Sequence, residues 1–188
     1  MCAIGEDRVY AWRLLPLMPE ERKTKPPQEK LIFALFEHLE ELMNSEPVEA
    51  AKRISVVIEN QPSRINGVMK TVQTWIQTYF MLRKYWGENV EGVHLLSAAQ
   101  KLKGHAHEPV GAKGKVNTYK YNKSAAVVIT RAYIADDPTL RGCFDAHKKR
   151  DDLADAFLHA VAWVRREGLQ AADVRAFHSG VESFESVE

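Results

Sequence analysis

The stretch "ISVVIE", residues 54–59, decides the fold class of this chain. Four of its six residues are β-branched, and its only charged group comes last. Such a run is typical of a central strand that is buried on both faces of a sheet. Glu59 closes the strand, and the breaker "NQPSR" follows. A carboxylate in this position is either an exposed strand end or a buried group that faces a cation or a metal.

Helical patterns lie on both sides of this strand. Apolar side chains recur every three or four residues over 29–43 and over 65–86, which predicts two helices ending near Asn44 and before Gly87. "VHLLSAA", residues 93–99, predicts a second buried strand. Strands that alternate with helices indicate an α/β domain, with its chemistry at the strand ends.

The remaining segments complete this α/β pattern. Residues 3–15 predict a hairpin with its turn at Gly5 to Asp7, and the proline-rich residues 16–28 predict a loop. Residues 100–123 carry six lysines and show no apolar period, which predicts a basic loop. Two further helices are predicted over 123–135 and 149–167.

Composition sets the limits on class and compartment. With 188 residues, of which 45% are hydrophobic and 27% are charged, the chain can bury one core. We predict one domain over 1–167 and an acidic, flexible tail over 168–188. Net charge is +1, so nucleic-acid binding must depend on local patches. Two cysteines and no run long enough to span a bilayer predict a soluble, intracellular protein without a disulfide framework.

The stretch "HKKRDDLADAFLHAVAW", residues 147–163, places three cations before three aspartates at the start of a helix. Asp152 and Asp155 are three residues apart, so they lie about 60° apart on the helix and can point at one object. Aspartates also favour the positive end of the helix dipole, but that capping role needs only one or two acids. Clustered carboxylates suit Mg²⁺ or Mn²⁺.

The helical projection separates these acids from the core. It places Asp152, Asp155 and His159 on one face. His159 can reach a metal site from there, although a histidine at such a position is more often packed in the core. The apolar side chains gather on the other face: Leu153, Phe157, Ala160, Val161 and Val164.

Three stretches together resemble a known family: "VVIENQPSR" (56–64), "TYKYNKSAAV" (118–127) and "KKRDDLADAFLHAVAW" (148–163). They are similar to the Holliday junction resolvases of the poxviral and mitochondrial type, relatives of RuvC among the ribonuclease H-like nucleases. The resemblance spans about residues 9–167. It implies a ribonuclease H-like mixed β-sheet flanked by helices. It also implies a homodimer, for which the helix after "NQPSR" is the candidate interface.

The same resemblance implies a metal-dependent hydrolysis of branched DNA. Glu59, Asp152 and Asp155 would be the catalytic metal ligands, with Asp151 beside them, and two Mg²⁺ or Mn²⁺ ions about 4 Å apart would act at the phosphodiester. Lysines of the basic loop and of the last helix could contact DNA backbones, although each could equally be solvated. These lysines are Lys101, Lys103, Lys113, Lys115, Lys120, Lys123, Lys148 and Lys149.

One family feature has no counterpart in this sequence. Family members begin with a central strand that carries an aspartate in a "D-x-G" context, and Asp7, in a turn, does not replace it. We therefore expect that strand and the first metal ligand to be missing, so a catalytically impaired DNA-binding relic or truncated form is the alternative function. "DDLAD" also matches the "DDxxD" element of prenyl-transferring enzymes, but "ISVVIE" argues against their all-helical fold.

Overall fold

A computed structural model describes most of the chain as a mixed α/β protein. It describes residues 1–5, 9–17, 26–63, 67–103 and 118–168, and the side chains from residue 121 in the last of these ranges. The elements in chain order are β1 (Cys2–Ile4), β2 (Val9–Trp12), α1 (Gln28–Met43), α2 (Glu46–Glu49), β3 (Ile54–Glu59), α3 (Gly67–Tyr85), β4 (Val90–Leu96), a 3-10 turn (Gln100–Leu102), α4 (Thr118–Tyr133), α5 (Pro138–Ala146) and α6 (Arg150–Arg166). The predicted α/β class is confirmed.

The described residues fall into two compact units. One unit is continuous and runs from Leu15 to Ala98. The other combines Met1–Leu14 with the described residues from Ala99 onward. The predicted single ribonuclease H-like domain over 1–167 stays a prediction, and the predicted tail lies outside the described residues beyond Gly168.

The continuous unit is built around a parallel β-α-β arrangement. β3 pairs in parallel with β4, and Glu59 lies opposite Leu96 at the end of the ladder. Parallel neighbours need a crossover, which α3 supplies. Gly87, with φ of 80°, follows the end of α3, where glycine adopts the left-handed backbone at no steric cost. The predicted helix and the strand over 54–59 are confirmed here, whereas the second predicted strand is confirmed over 93–96 only, because β4 begins at Val90 and ends at Leu96.

The environment of β3 differs from its prediction. Its side chains are half-buried and Ser55 is exposed, so burial on both faces is wrong for the described residues. The reason is that, within the part of the chain that the structure describes, β3 has a partner strand on one side only.

Helix α1 packs its apolar stripe within the same unit, as its sequence pattern predicts. The buried positions recur at helical spacing, and the helix ends at Asn44. Phe36 of α1 and Tyr79 of α3 have ring centroids 5.3 Å apart. The Tyr79 hydroxyl donates to Glu40 at 2.8 Å, so a polar contact closes the edge of this helix pair.

The discontinuous unit has its own aromatic core. Trp12 of β2 is fully buried; its ring stacks on Phe144 at 5.2 Å and lies 5.3 Å from Phe157. The Trp12 indole N–H donates to the carbonyl of Leu153 at 2.9 Å. A buried indole of this kind needs a partner for its N–H, and α6 provides it. The hairpin is thereby fixed against the last helix.

The region between β4 and α6 differs most from prediction. α4 begins at Thr118, so the predicted basic loop is wrong for 118–123 and for the 3-10 turn, while 104–117 lie outside the described residues. α5 was not predicted; its N-cap Asp137 accepts from the backbone N–H groups of Thr139 and Leu140 at 2.9 Å each.

In the described part of the chain, no helix has both the length and the apolar character needed to cross a membrane.

Candidate active site

Helix α6 places its acids within its first two turns. Asp151 and Asp152 lie in the first turn after the N-cap Lys149, and Asp155 lies one turn further on. The helix is held in place by Leu153 and Phe157, which are buried in the core. The acids therefore sit near the positive end of a well-anchored helix, where negative charge is stabilised.

Asp155 forms an ion pair with a buried lysine. Lys101 Nζ, from the 3-10 turn after β4, lies 2.6 Å from Asp155 Oδ2. Lys101 is only 7% exposed. Lysines are almost never buried to this extent unless their charge is paired. The carboxylate of Asp155 therefore compensates for part of the cost of burying the Lys101 charge.

Asp151 binds a second ammonium group from a different element. Lys123 of α4 donates to Asp151 Oδ2, and this hydrogen bond lowers the pKa of the Asp151 carboxyl below its ordinary value. Asp151 and Asp155 are four residues apart, which places them about 40° apart around the helix. One side of α6 thus binds two cations that come from two other elements.

Asp152, the third acid, is exposed and lies near the start of the hairpin. The ammonium group of Met1 donates to the carbonyl of Arg13 at 2.8 Å. Burial lowers the pKa of this ammonium group, and the negative charge of Asp152 acts in the opposite direction. Asp152 therefore lies within electrostatic range of the β1 terminus.

Glu59 belongs to the continuous unit, whereas the three aspartates belong to the discontinuous one. Its carboxylate is half-buried at the end of β3. Gln61 Nε2 donates to Glu59 Oε1 at 3.0 Å. The predicted strand-end position of Glu59 is confirmed, and its shared use with the aspartates stays a prediction.

His159 is 4% exposed and lies one turn beyond Asp155. The expectation that this histidine is packed in the core is confirmed. The predicted apolar face of α6 is confirmed at Leu153, Phe157 and Val161, but the buried surface is wider than predicted. Its further members are Ala154, Leu158 and Trp163.

The lysines predicted to contact DNA divide into three groups. Lys101 and Lys123 are engaged by the aspartates, as described above. Lys103, Lys148 and Lys149 are exposed. Lys113 and Lys115, and the side chain of Lys120, lie outside the described residues.

The donor chemistry of α6 fits a divalent cation, because its carboxylate oxygens are the hard ligands that Mg²⁺ and Mn²⁺ prefer. The two bound ammonium groups show that this side of the helix accepts positive charge. Among the described residues, however, no group of three or more His, Cys, Asp or Glu side chains is placed to hold a metal ion. The α6 acids alone are therefore an incomplete ligand set.

A polar network around Gln73 was missed from the sequence. Gln73 of α3 is buried, and its Oε1 accepts hydrogen bonds from the backbone N–H of Gln61 and from Lys70 Nζ. A signal for it was present, because Gln73 lies four residues after Met69 and three before Ile76, on the predicted apolar face. A polar residue among apolar positions marks a buried hydrogen-bonding group. Met69 itself is exposed, contrary to the predicted stripe.

Comparison with known proteins gives one weak similarity. No protein-family model and no solved structure matches the chain. The chain is 26% identical over 142 residues to a protein of Acanthamoeba polyphaga mimivirus named uncharacterized protein L451. The match covers 71% of this chain and 34% of the mimivirus protein, so the chain spans about a third of that relative.

Proposed function

We propose that this chain is a divalent-metal-dependent DNA endonuclease with a ribonuclease H-like fold, which resolves four-way junctions. The observation that carries the proposal is the binding of two ammonium groups by Asp151 and Asp155 on one side of α6. Carboxylates on this side of α6 can bind divalent cations, and a bound cation can in turn bind phosphate oxygens. The motif order that resembles junction resolvases supports the same conclusion.

The proposed ligands are the four acids that the resemblance to junction resolvases implies. Glu59, Asp152 and Asp155, with Asp151 beside them, would hold Mg²⁺ or Mn²⁺. The bound ions would activate a water molecule and stabilise the leaving oxygen of a phosphodiester. The parallel β3–β4 pair supports the role of Glu59, because ligands of α/β sheets bind outside the carboxyl ends of the strands.

Phosphate binding is assigned to exposed cations near the start of α6. Lys148 and Lys149 are exposed and directly precede the helix. A helix N-terminus and flanking lysines both favour phosphate oxygens. These contacts would position a DNA backbone without reading its sequence.

The proposed partner in solution is a second copy of the chain, bound through α3. Between Lys70 and Arg83 this helix carries no charged residue, and its outer surface includes Met81 and Leu82, the latter 43% exposed. An uncharged helical surface of this length favours association with another apolar surface. A dimer would supply two symmetric sites for the two strands that a junction resolvase cuts.

The experiment that tests the proposal is cleavage of a labelled four-way junction by the full chain in Mg²⁺ or Mn²⁺. Native and denaturing gels separate binding from cutting. Asp152→Asn is the diagnostic variant, because Asp152 is exposed and its loss should leave the fold intact. Asp136→Asn, an exposed acid between α4 and α5, is the matched control. Symmetric nicks that vanish with Asp152→Asn and Glu59→Gln but persist with Asp136→Asn would support the nuclease.

One observation favours the second candidate, a relic that binds branched DNA without cutting it. Lys101 and Lys123 already neutralise Asp155 and Asp151, so these two carboxylates have cationic partners without a metal. Junction binding with no nicks in either metal would favour the relic. Neither binding nor cutting would remove the DNA proposal.

A further inference from the structure

Gln73 is a buried amide whose oxygen is fully used. It is 3% exposed, and its Oε1 accepts a hydrogen bond of 2.8 Å from the backbone N–H of Gln61. The same oxygen accepts a second hydrogen bond, of 3.1 Å, from Lys70 Nζ. A buried amide is costly unless it is hydrogen-bonded, so these two contacts fix the side chain and the direction of its oxygen.

The two residues that follow Glu59 are both held by this pair from α3. Gln73 binds the backbone of Gln61, and Lys70 Nζ donates to Asn60 Oδ1 at 3.1 Å. Gln61 in turn donates its side-chain amide to Glu59 Oε1 at 3.0 Å. A continuous series of hydrogen bonds therefore runs from the buried face of α3 to the carboxylate at the end of β3.

This series of hydrogen bonds restrains the side chain of Glu59. A glutamate at a strand end has three rotatable side-chain bonds, and binding a metal would have to immobilise them. Hydrogen bonds to a ligating carboxylate orient it before the ion arrives, which is the usual role of the residues behind a metal ligand. In this protein the restraint begins at a residue that is itself locked by burial.

We propose that Gln73 is a positioning residue, which together with Lys70 fixes Gln61 and so holds the Glu59 carboxylate in the orientation that binds a divalent metal. This inference rests on the proposed function, because it assumes that Glu59 is a metal ligand. It gives α3 a role in orienting Glu59, in addition to the packing that its apolar side chains provide. A purely structural Gln73 would stabilise the turn after β3 without affecting metal affinity.

The test is the affinity of the full chain for Mn²⁺, measured by titration calorimetry and by electron paramagnetic resonance of free Mn²⁺. Gln73→Leu removes the acceptor and should weaken Mn²⁺ binding roughly 10-fold. Gln73→Glu keeps an oxygen that can accept from Gln61 and Lys70, so its affinity should stay within about 2-fold of the starting protein. Rescue by this conservative variant would identify the hydrogen bonds as the cause.

Two further variants separate positioning from stability and from the proposed function. Val72→Ala removes a neighbouring buried side chain of the same helix, so it controls for loss of stability and should not alter Mn²⁺ affinity. If Gln73→Leu binds Mn²⁺ as Val72→Ala does while Glu59→Gln binds it weakly, the inference is overturned and the nuclease proposal stands. If Glu59→Gln binds Mn²⁺ as tightly as the starting protein, both are overturned.

Discussion

Lys101 Nζ and Asp155 Oδ2 lie 2.6 Å apart, and this contact joins the turn after β4 to the second turn of α6. The sequence places Lys101 in a basic segment, where a solvated or DNA-binding lysine is the natural expectation. In the fold its ammonium group is buried beside an acid instead of facing solvent. At least one lysine of this basic segment therefore stabilises the fold through an ion pair and does not face solvent or DNA.

Replacement of Lys101 by methionine should destabilise the protein by about 3 kcal/mol. Removing one partner of a buried ion pair leaves the charge of the other uncompensated, which destabilises the fold more than replacing both partners by apolar residues does. The free energy of unfolding, measured by urea titration, would report the loss. Lys103→Met, two residues away and exposed, is the control and should change stability by less than about 0.5 kcal/mol. Equal, small effects of both variants would contradict a structural role for the Lys101–Asp155 pair.

Divalent metal should stabilise the Lys101→Met variant more than it stabilises the starting protein. Without the Lys101 ammonium group, a metal ion near Asp155 meets less competition, and a ligand that binds only the folded state raises the free energy of unfolding with the logarithm of its concentration divided by its dissociation constant. Thermal unfolding with and without Mn²⁺, at on the order of 10 mM, measures how much the metal raises the unfolding temperature of each protein. Identical increments would show that Lys101 and the metal do not compete for Asp155.

The Asp151–Lys123 contact should make part of the stability pH-dependent. Because the hydrogen bond from Lys123 lowers the pKa of Asp151 in the folded state, its stabilisation is present above the ordinary value of 3.8 and is lost as pH falls below it. Asp151→Asn should therefore cost about 0.5 to 1 kcal/mol near neutral pH, and this cost should shrink progressively as the pH falls below 3.8. Urea titrations over a series of pH values give the comparison. A cost that is independent of pH would rule out this ion pair as its source.

The α3 surface should control the oligomeric state. Leu82→Glu introduces a charge on the exposed side of the helix and should convert a dimer to a monomer, because a buried unpaired charge at an interface is strongly unfavourable. Sedimentation velocity of the full chain measures the change. Val128→Glu, on an exposed position of α4, should leave the sedimentation coefficient unaltered. A starting protein that sediments as a monomer would exclude this interface.

Periodicity accounts for what the sequence predicted correctly. The α1 stripe from Leu31 to Met43 buries a regular set of positions, and "ISVVIE" is rich in β-branched residues, so these two patterns specify α1 and β3 directly. α5 has only two buried residues, Leu140 and Phe144, and the first turns of α4 carry no apolar period. The short α5 offers too few apolar positions for periodicity to predict it, and the Asp137 cap specifies where it begins.

The sequence indicated which acids lie on α6, but it did not indicate which side chains contact them. Helical geometry placed Asp155 correctly on α6, but it could not indicate that Lys101, 54 positions earlier in the chain, binds it. Asp151 was given a lesser role than Asp152, yet Asp151 is the acid that binds Lys123. A helical projection fixes the angle between two acids, whereas the cation that reaches them depends on how distant elements fold.

The position of Trp12 has a consequence for the order of events during synthesis. Trp12 and its hydrogen-bond partner Leu153 are 141 residues apart, and the intervening chain contains the whole continuous unit. At about 5 to 20 residues per second, the nascent hairpin waits roughly 7 to 30 s for the helix that covers it. We therefore expect the ribosome to release a chain whose middle folds before its beginning. Limited proteolysis of a chain stalled near residue 140 should find β3, α3 and β4 protected while β1 and β2 are still cut. The hairpin, although synthesised before α6, would fold only once α6 is available to cover it.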